Sequence, residues 1–176
     1  MKLPLNRQII VLSLCAAATV TAAEFPYEIN GDYSNHIERI LDNPDVQSAM
    51  EHIVAMEPQS QSDLIELTEI PAPPFNEERR AARYAEMLRE SGLTDVHIDE
   101  VGNVIGRRPG RSGARTVAYS AHLDTVFPEE TDVTVRFEGE RMFAPGIGDN
   151  SRGLVTVLAV LRALEHADIE TEADIL

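Results

Sequence analysis

The 176-residue sequence has no tryptophan, one cysteine and only 5% aromatic residues. Its single lysine is Lys2, so every basic residue from Arg7 onward is arginine. The lone cysteine, Cys15, excludes an intrachain disulfide, and any metal site must draw on His, Asp and Glu. Positive charge is scarce: the formal net charge is −15 at pH 7. Phosphate backbones are repelled by such a surface, which argues against a nucleic-acid partner. Long apolar runs are also scarce. The clearest, residues 9–20, is shorter than the roughly 20 residues a membrane span needs.

That run has a setting of its own. Lys2 and Arg7 precede it, and the small residues Thr21, Ala22 and Ala23 follow it. A basic start, an apolar centre and a small-residue end make a secretory signal peptide over residues 1–23, with an uncleaved N-terminal anchor as the alternative. The expected location is periplasmic or secreted, with no membrane contact after cleavage. Cleavage removes two positive charges and no negative one, taking the net charge to −17.

The whole sequence is 43% hydrophobic and 26% charged, a composition that supports a packed core. An irregular leader is expected from Glu24 to about Tyr33. Apolar residues at helical spacing from Ile37 to Val54, interrupted at Asn43-Pro44, predict two short helices. The reading divides the chain into leader and helices over 24–59 and a catalytic-type domain over 60–176. Within the latter, helices are expected over 62–70 and after Asn76, which can cap; Gly92 is a natural stop. Strands are expected over 96–101, 103–107 and 116–124, and a hairpin over 133–144. Residues 151–166 carry the strongest helical periodicity, and 173–176 opens another apolar run, read as a core strand left unfinished. This order predicts an α/β fold.

Two clusters carry chemistry. In Ala121-His122-Leu123-Asp124-Thr125, side chains at i and i+2 of an extended segment share a face. His122 and Asp124 therefore point together at the C-terminal end of a strand, where open α/β sheets build their sites. A neutral imidazole ligates zinc, and a nearby carboxylate fixes its tautomer. A strand-end histidine beside a capping aspartate is the simpler alternative. In Gly146-Ile147-Gly148-Asp149-Asn150-Ser151-Arg152-Gly153, Asp149 stands just before the long helix, where a carboxylate can bridge two cations or merely cap. The spacing fits no phosphate-binding loop.

The residues 120–128 and 146–153, about 20 residues apart, together resemble the M20 metallopeptidases. Ile70-Pro71-Ala72-Pro73, the helix over 77–92 and Gly102-Asn103-Val104 strengthen the likeness, which spans roughly 60–176. The resemblance implies a three-layer α/β/α zinc-exopeptidase-like domain, incomplete at its C-terminus, with two zinc ions in the complete site. It makes His122 a ligand of one zinc, Asp149 the bridge between both, and Asp124 the catalytic-site aspartate supporting His122. It also implies a cis Asp149–Asn150 peptide bond. The family's Glu-Glu pair, further ligands and lid or dimerisation domain have no counterpart in these residues, so a possible homodimer belongs to a longer protein. The expected function is zinc-dependent hydrolysis of peptide or amide bonds in small peptides or acyl-amino acids, with the chain as given inactive. The alternative is a non-catalytic metal- or ligand-binding protein on the same scaffold. His36, His52, His97 and His166 match no motif of the family and are read as surface or structural.

Overall fold

In a computed structural model, residues 31–176 are described. The signal-peptide segment, Cys15 and most of the expected leader lie outside them. Among the described residues no helix is long and apolar enough to cross a membrane.

Four helices come first: α1 (Gly31–Leu41), α2 (Pro44–Ala55), α3 (Glu57–Thr68) and α4 (Glu78–Glu90). The break between α1 and α2 falls at Asn43-Pro44 as read. The Asn43 side chain accepts from the Asp45 amide at 2.8 Å, and Pro44 opens the helix, where its missing N–H costs nothing. Residues 31–33, expected within the irregular leader, are already helical in α1. The expected Asn76 cap is absent. Phe75 has φ +68°, and the Glu77 carboxylate turns back to accept from the Phe75 amide at 2.8 Å, leaving α4 without a side-chain cap. Gly92 ends α4 at φ +86°, the left-handed geometry expected of a stop.

The strands are β1 (Thr94–Ile98), β2 (Val104–Arg107), β3 (Thr116–Val117), β4 (Arg136–Glu138), β5 (Arg141–Phe143) and β6 (Asp174–Ile175); helix α5 (Arg152–His166) lies between the last two. β1 and β2 pair antiparallel, as do β4 and β5, while β3 and β6 are parallel. A bridge between Arg108 and Ile175 joins the first pair to the third, giving the spatial order β1-β2-β6-β3. The long strand expected over 116–124 is paired only at its start. The Tyr119 amide still donates to the Leu176 carbonyl at 2.9 Å, and from Ser120 onward no strand partner is present among the described residues.

One core holds these pieces. Leu64 and Leu67 of α3, Tyr84, Met87 and Leu88 of α4, and Leu154, Val155, Leu158 and Leu161 of α5 are buried together with Ile175. The α/β architecture read from the sequence is present. α3, α4, α5 and β6 supply this core, and Val96 of β1, Val104 of β2 and Met142 of β5 pack against it, whereas α1 buries no residue. Two arginines tie the helices. Arg162 of α5 pairs with Asp63 of α3 and donates to the Ser91 hydroxyl at 3.1 Å; Gln59 completes Asp63 at 2.7 Å. Arg80 reaches the functional site.

His52 and His166, read as structural, stack face to face across α2 and α5 with ring centroids 3.8 Å apart. Burial first, and the His166 charge second, hold the His52 pKa below the ordinary histidine value. The unfolded chain therefore binds more protons than the folded one as pH falls through the ordinary value. Stability contributed at neutral pH is lost below about pH 6.5. Urea unfolding at pH 8 and pH 5 is expected to show a larger acid loss in the parent than in His52→Gln. Equal losses would show that the stack carries no pH dependence.

Candidate active site

The site is assembled where residues 121–125 meet the turn before α5. Gly146 starts that turn at φ +78°; a Cβ there would lie 2.7 Å from the methyl of the buried Thr125, so a side chain is excluded on both counts. Residues Ile147–Ser151 form a π-helical turn in which Asp149 and Asn150 have non-helical backbone angles, and the Asp149–Asn150 bond is cis. The resemblance implied that bond.

This turn decides what Asp149 does. No side chain caps α5, so the capping alternative fails. Instead Asp149 Oδ1 lies 2.9 Å from His122 Nε2. His122 Nδ1 is 3.1 Å from Asp124 Oδ1 and 2.9 Å from the Asp124 carbonyl oxygen. All three sequence-derived residues are therefore brought together, and His122 and Asp124 are side by side as their spacing required. The imidazole stands between two carboxylates. The Asp149 contact above all raises the His122 pKa, against a smaller opposing effect of burial, with the Asp124 carbonyl and carboxylate adding to the rise. Asp149 is 89% exposed at its side chain and His122 48%, so both face open space rather than the core.

Beneath them lies a residue the sequence reading missed. Arg80 is 1% exposed, yet no carboxylate touches it. It donates to the carbonyls of Ile70, at 2.5 and 3.1 Å, of Thr68 at 3.4 Å, and of Leu123 at 2.8 Å. Leu123 is the residue between His122 and Asp124, so Arg80 holds the backbone of the site from below. Burial pushes the Arg80 pKa down to about 10, while the charge of Asp124 works in the opposite direction. The Thr125 amide donates to Ala72 at 2.8 Å, tying the same segment to the proline-rich turn after α3. A signal was available: Arg80 adjoins Ala81 and stands four positions before Tyr84, on the apolar face of α4.

Among the described residues no group of three or more His, Cys, Asp or Glu side chains could hold a metal ion. Two donors, His122 and Asp149, converge. Peptidase family M28 matches residues 103–176, which contain all three site residues. A Pyrococcus abyssi protein described as a LysW-lysine/LysW-ornithine hydrolase is 34% identical over 113 residues, covering 64% of this chain and 30% of its own length. The chain is thus similar to a peptidase family and to a hydrolase of LysW-linked amino acids.

Two further proteins are similar to the chain. The cytosol non-specific dipeptidase of Escherichia coli is 31% identical over 129 residues, covering 64% of this chain and 26% of the relative. The dipeptidase Dug1p of Saccharomyces cerevisiae shares the fold at a TM-score of 0.60 and 18% identity, over 73% of this chain and 33% of its own. The chain thus spans about a third or less of the length of the relatives it matches.

Proposed function

We propose that this chain carries the first metal-holding residues of a zinc-dependent, M20-type hydrolase of peptide or amide bonds. The observation that carries the reading is the His122 imidazole held between Asp124 and Asp149. With Nδ1 bonded to Asp124, Nε2 is the nitrogen left to meet the exposed Asp149 carboxylate, 2.9 Å away. A proton shared between Nε2 and Asp149 occupies the position where a cation would find an imidazole and a carboxylate together. These two donors suit zinc, which takes nitrogen and oxygen ligands. His122 and Asp149 would hold it, and Asp124 would keep His122 in the ligating tautomer. Bound there, zinc would polarise a carbonyl and lower the pKa of water. The substrates proposed are small peptides or acyl-amino acids, as the names of the relatives suggest.

Two donors fall short of the three protein ligands usual at a catalytic zinc. The polypeptide from residue 24 to 176 is therefore expected to bind zinc weakly and to turn over neither dipeptides nor acyl-amino acids. Zinc titration followed by calorimetry should lose its signal in His122→Ala and in Asp149→Asn. Unchanged binding in both variants would overturn the site. Chelator-sensitive turnover abolished by His122→Ala would instead show that these residues suffice for catalysis. Metal binding in a longer polypeptide that never turns over would favour the non-catalytic alternative.

Residues 1–23 are proposed to export the protein to the periplasm or beyond. N-terminal sequencing of protein recovered from the expressing cell should begin near Glu24. Recovery of Met1 from the cytosol alone would refute export.

A further inference from the structure

Arg80 and the Thr125 amide fasten the half of the site that carries His122. The half that carries Asp149 is held differently. Asp149 stands in the middle of the turn Ile147–Ser151. Ile147 packs against the core and Ser151 is fully buried, so the ends of the turn are anchored. Two backbone bonds that close it are long: Ile147 donates to the Ala144 carbonyl at 3.3 Å, and Ser151 to the Gly146 carbonyl at 3.2 Å. The Ser151 hydroxyl has no hydrogen-bond partner. Asp149 itself is 89% exposed at its side chain, so packing of the carboxylate does not aim it at His122.

Its neighbour Asn150 is placed to do so. Asn150 has non-helical angles, φ −135° and ψ 27°, and its carboxamide lies across the first turn of α5. A Cβ added at Gly153 would fall 1.8 Å from Asn150 Oδ1, 2.6 Å from its Cγ and 2.9 Å from its Nδ2. Gly153 lies inside α5 and is not among the glycines with positive φ, so its backbone does not call for glycine. A helix disfavours glycine relative to alanine. Space for the Asn150 amide is what glycine provides here. That amide has no hydrogen-bond partner among the described residues, so it acts by filling the space. The Cα atoms of Asp149 and Asn150 are the two ends of one planar peptide unit. Seating Asn150 therefore fixes the point from which the Asp149 carboxylate reaches His122, 2.9 Å away.

We propose that Asn150, lodged in the space left by Gly153, is the positioning residue that aims Asp149 at His122. The inference rests on the proposed metal site and adds the device that holds its second donor. Two donors serve one ion only when their spacing is kept to within roughly 0.5 Å, and exposed Asp149 has no packing of its own to keep it.

The test uses the full chain with Asn150→Ala, Gly153→Ala and the two combined. The methyl at 153 meets the far end of a side chain, so Gly153→Ala should evict the amide without unfolding the protein. Each single variant is expected to lower zinc affinity of the folded fraction about tenfold or more, and the double variant no further than the weaker single. Without metal, at pH 8, the His122 Nε2 nitrogen shift should move in both single variants more than half of the way to its value in Asp149→Asn. Alanine at 153 should raise Tm by about 3 °C when Asn150 is already alanine, and not in the parent, where eviction offsets the gain in helix propensity. A His122 shift and zinc affinity that stay at the parent values would overturn the proposal, whatever happens to Tm, because Asn150 would then be structural alone. Equal Tm effects of Gly153→Ala in both backgrounds would show that the amide is not lodged there and would overturn it too. A parent that binds no zinc would sink the metal site, while the nitrogen shift would still decide whether Asn150 aims Asp149.

Discussion

Replacing Asp63 by alanine is expected to lower stability by about 3 kcal/mol, a fall in Tm of about 10 °C. Asp63 is 2% exposed and receives both Arg162 of α5 and Gln59 of its own helix. Alanine strips the counter-charge from a guanidinium whose side chain is only 18% exposed, and strands the Gln59 amide. Exposed pairs such as Arg111 with Glu170 contribute little by comparison, because solvent screens them. The attraction itself is not the main term. A buried pair roughly cancels its own desolvation, whereas half a pair does not. Asp63→Leu combined with Arg162→Met should therefore recover most of the loss. Urea unfolding of the single and double variants measures this. A single variant within about 0.5 kcal/mol of the parent would show that Arg162 finds water instead.

Arg80→Met is expected to cost about 2–4 kcal/mol and to loosen the proposed metal site as well. Methionine keeps the apolar stem and removes a cation that burial disfavours, which is a gain. Against that, the carbonyls of Ile70 and Leu123 lose their donors, at about 1–3 kcal/mol each. The second effect wins because two acceptors are stranded while one charge is relieved. Release of the Leu123 carbonyl frees the backbone between His122 and Asp124, and zinc affinity should fall about 10- to 100-fold, as for other residues that support ligands. Leu158→Ala is the control. It should cost a similar 2–5 kcal/mol through a cavity, yet leave the zinc affinity of the folded fraction unchanged. If both variants weaken zinc equally, Arg80 acts on stability alone.

Much of this arrangement could be read from the chain. The Asn43-Pro44 break, the Gly92 stop and the shared face of His122 and Asp124 follow from local geometry, which a short window of residues determines. Asp149 was ambiguous for a physical reason: a carboxylate before a helix suits both capping and cation binding, and only the His122 contact separates the two. Asn76 failed as a cap because the positive φ of Phe75 redirects the chain entry, and no pattern of residue types announces that. Segment 120–124 reads as a strand by composition but has no strand partner among the described residues, since pairing depends on a neighbour distant in sequence. Arg80 and Asp63 were missed for the same reason. Their partners lie 43 and 99 residues away, and in the case of Arg80 they are backbone carbonyls, which carry no residue signature.

The contact between His122 and Asp149 joins positions 27 residues apart, with the β4–β5 hairpin between them. Bringing the ends of such an arc together costs an unfolded chain about 3 kcal/mol in closure entropy. A cation held by both side chains would act as a clip on that arc, drawing its affinity from a geometry the folded protein has already organised. The same ion offered to the unfolded chain would have to meet the closure cost itself. Metal capture should therefore follow folding of the hairpin rather than guide it, and a chain that misplaces the hairpin would have no clip to rescue it.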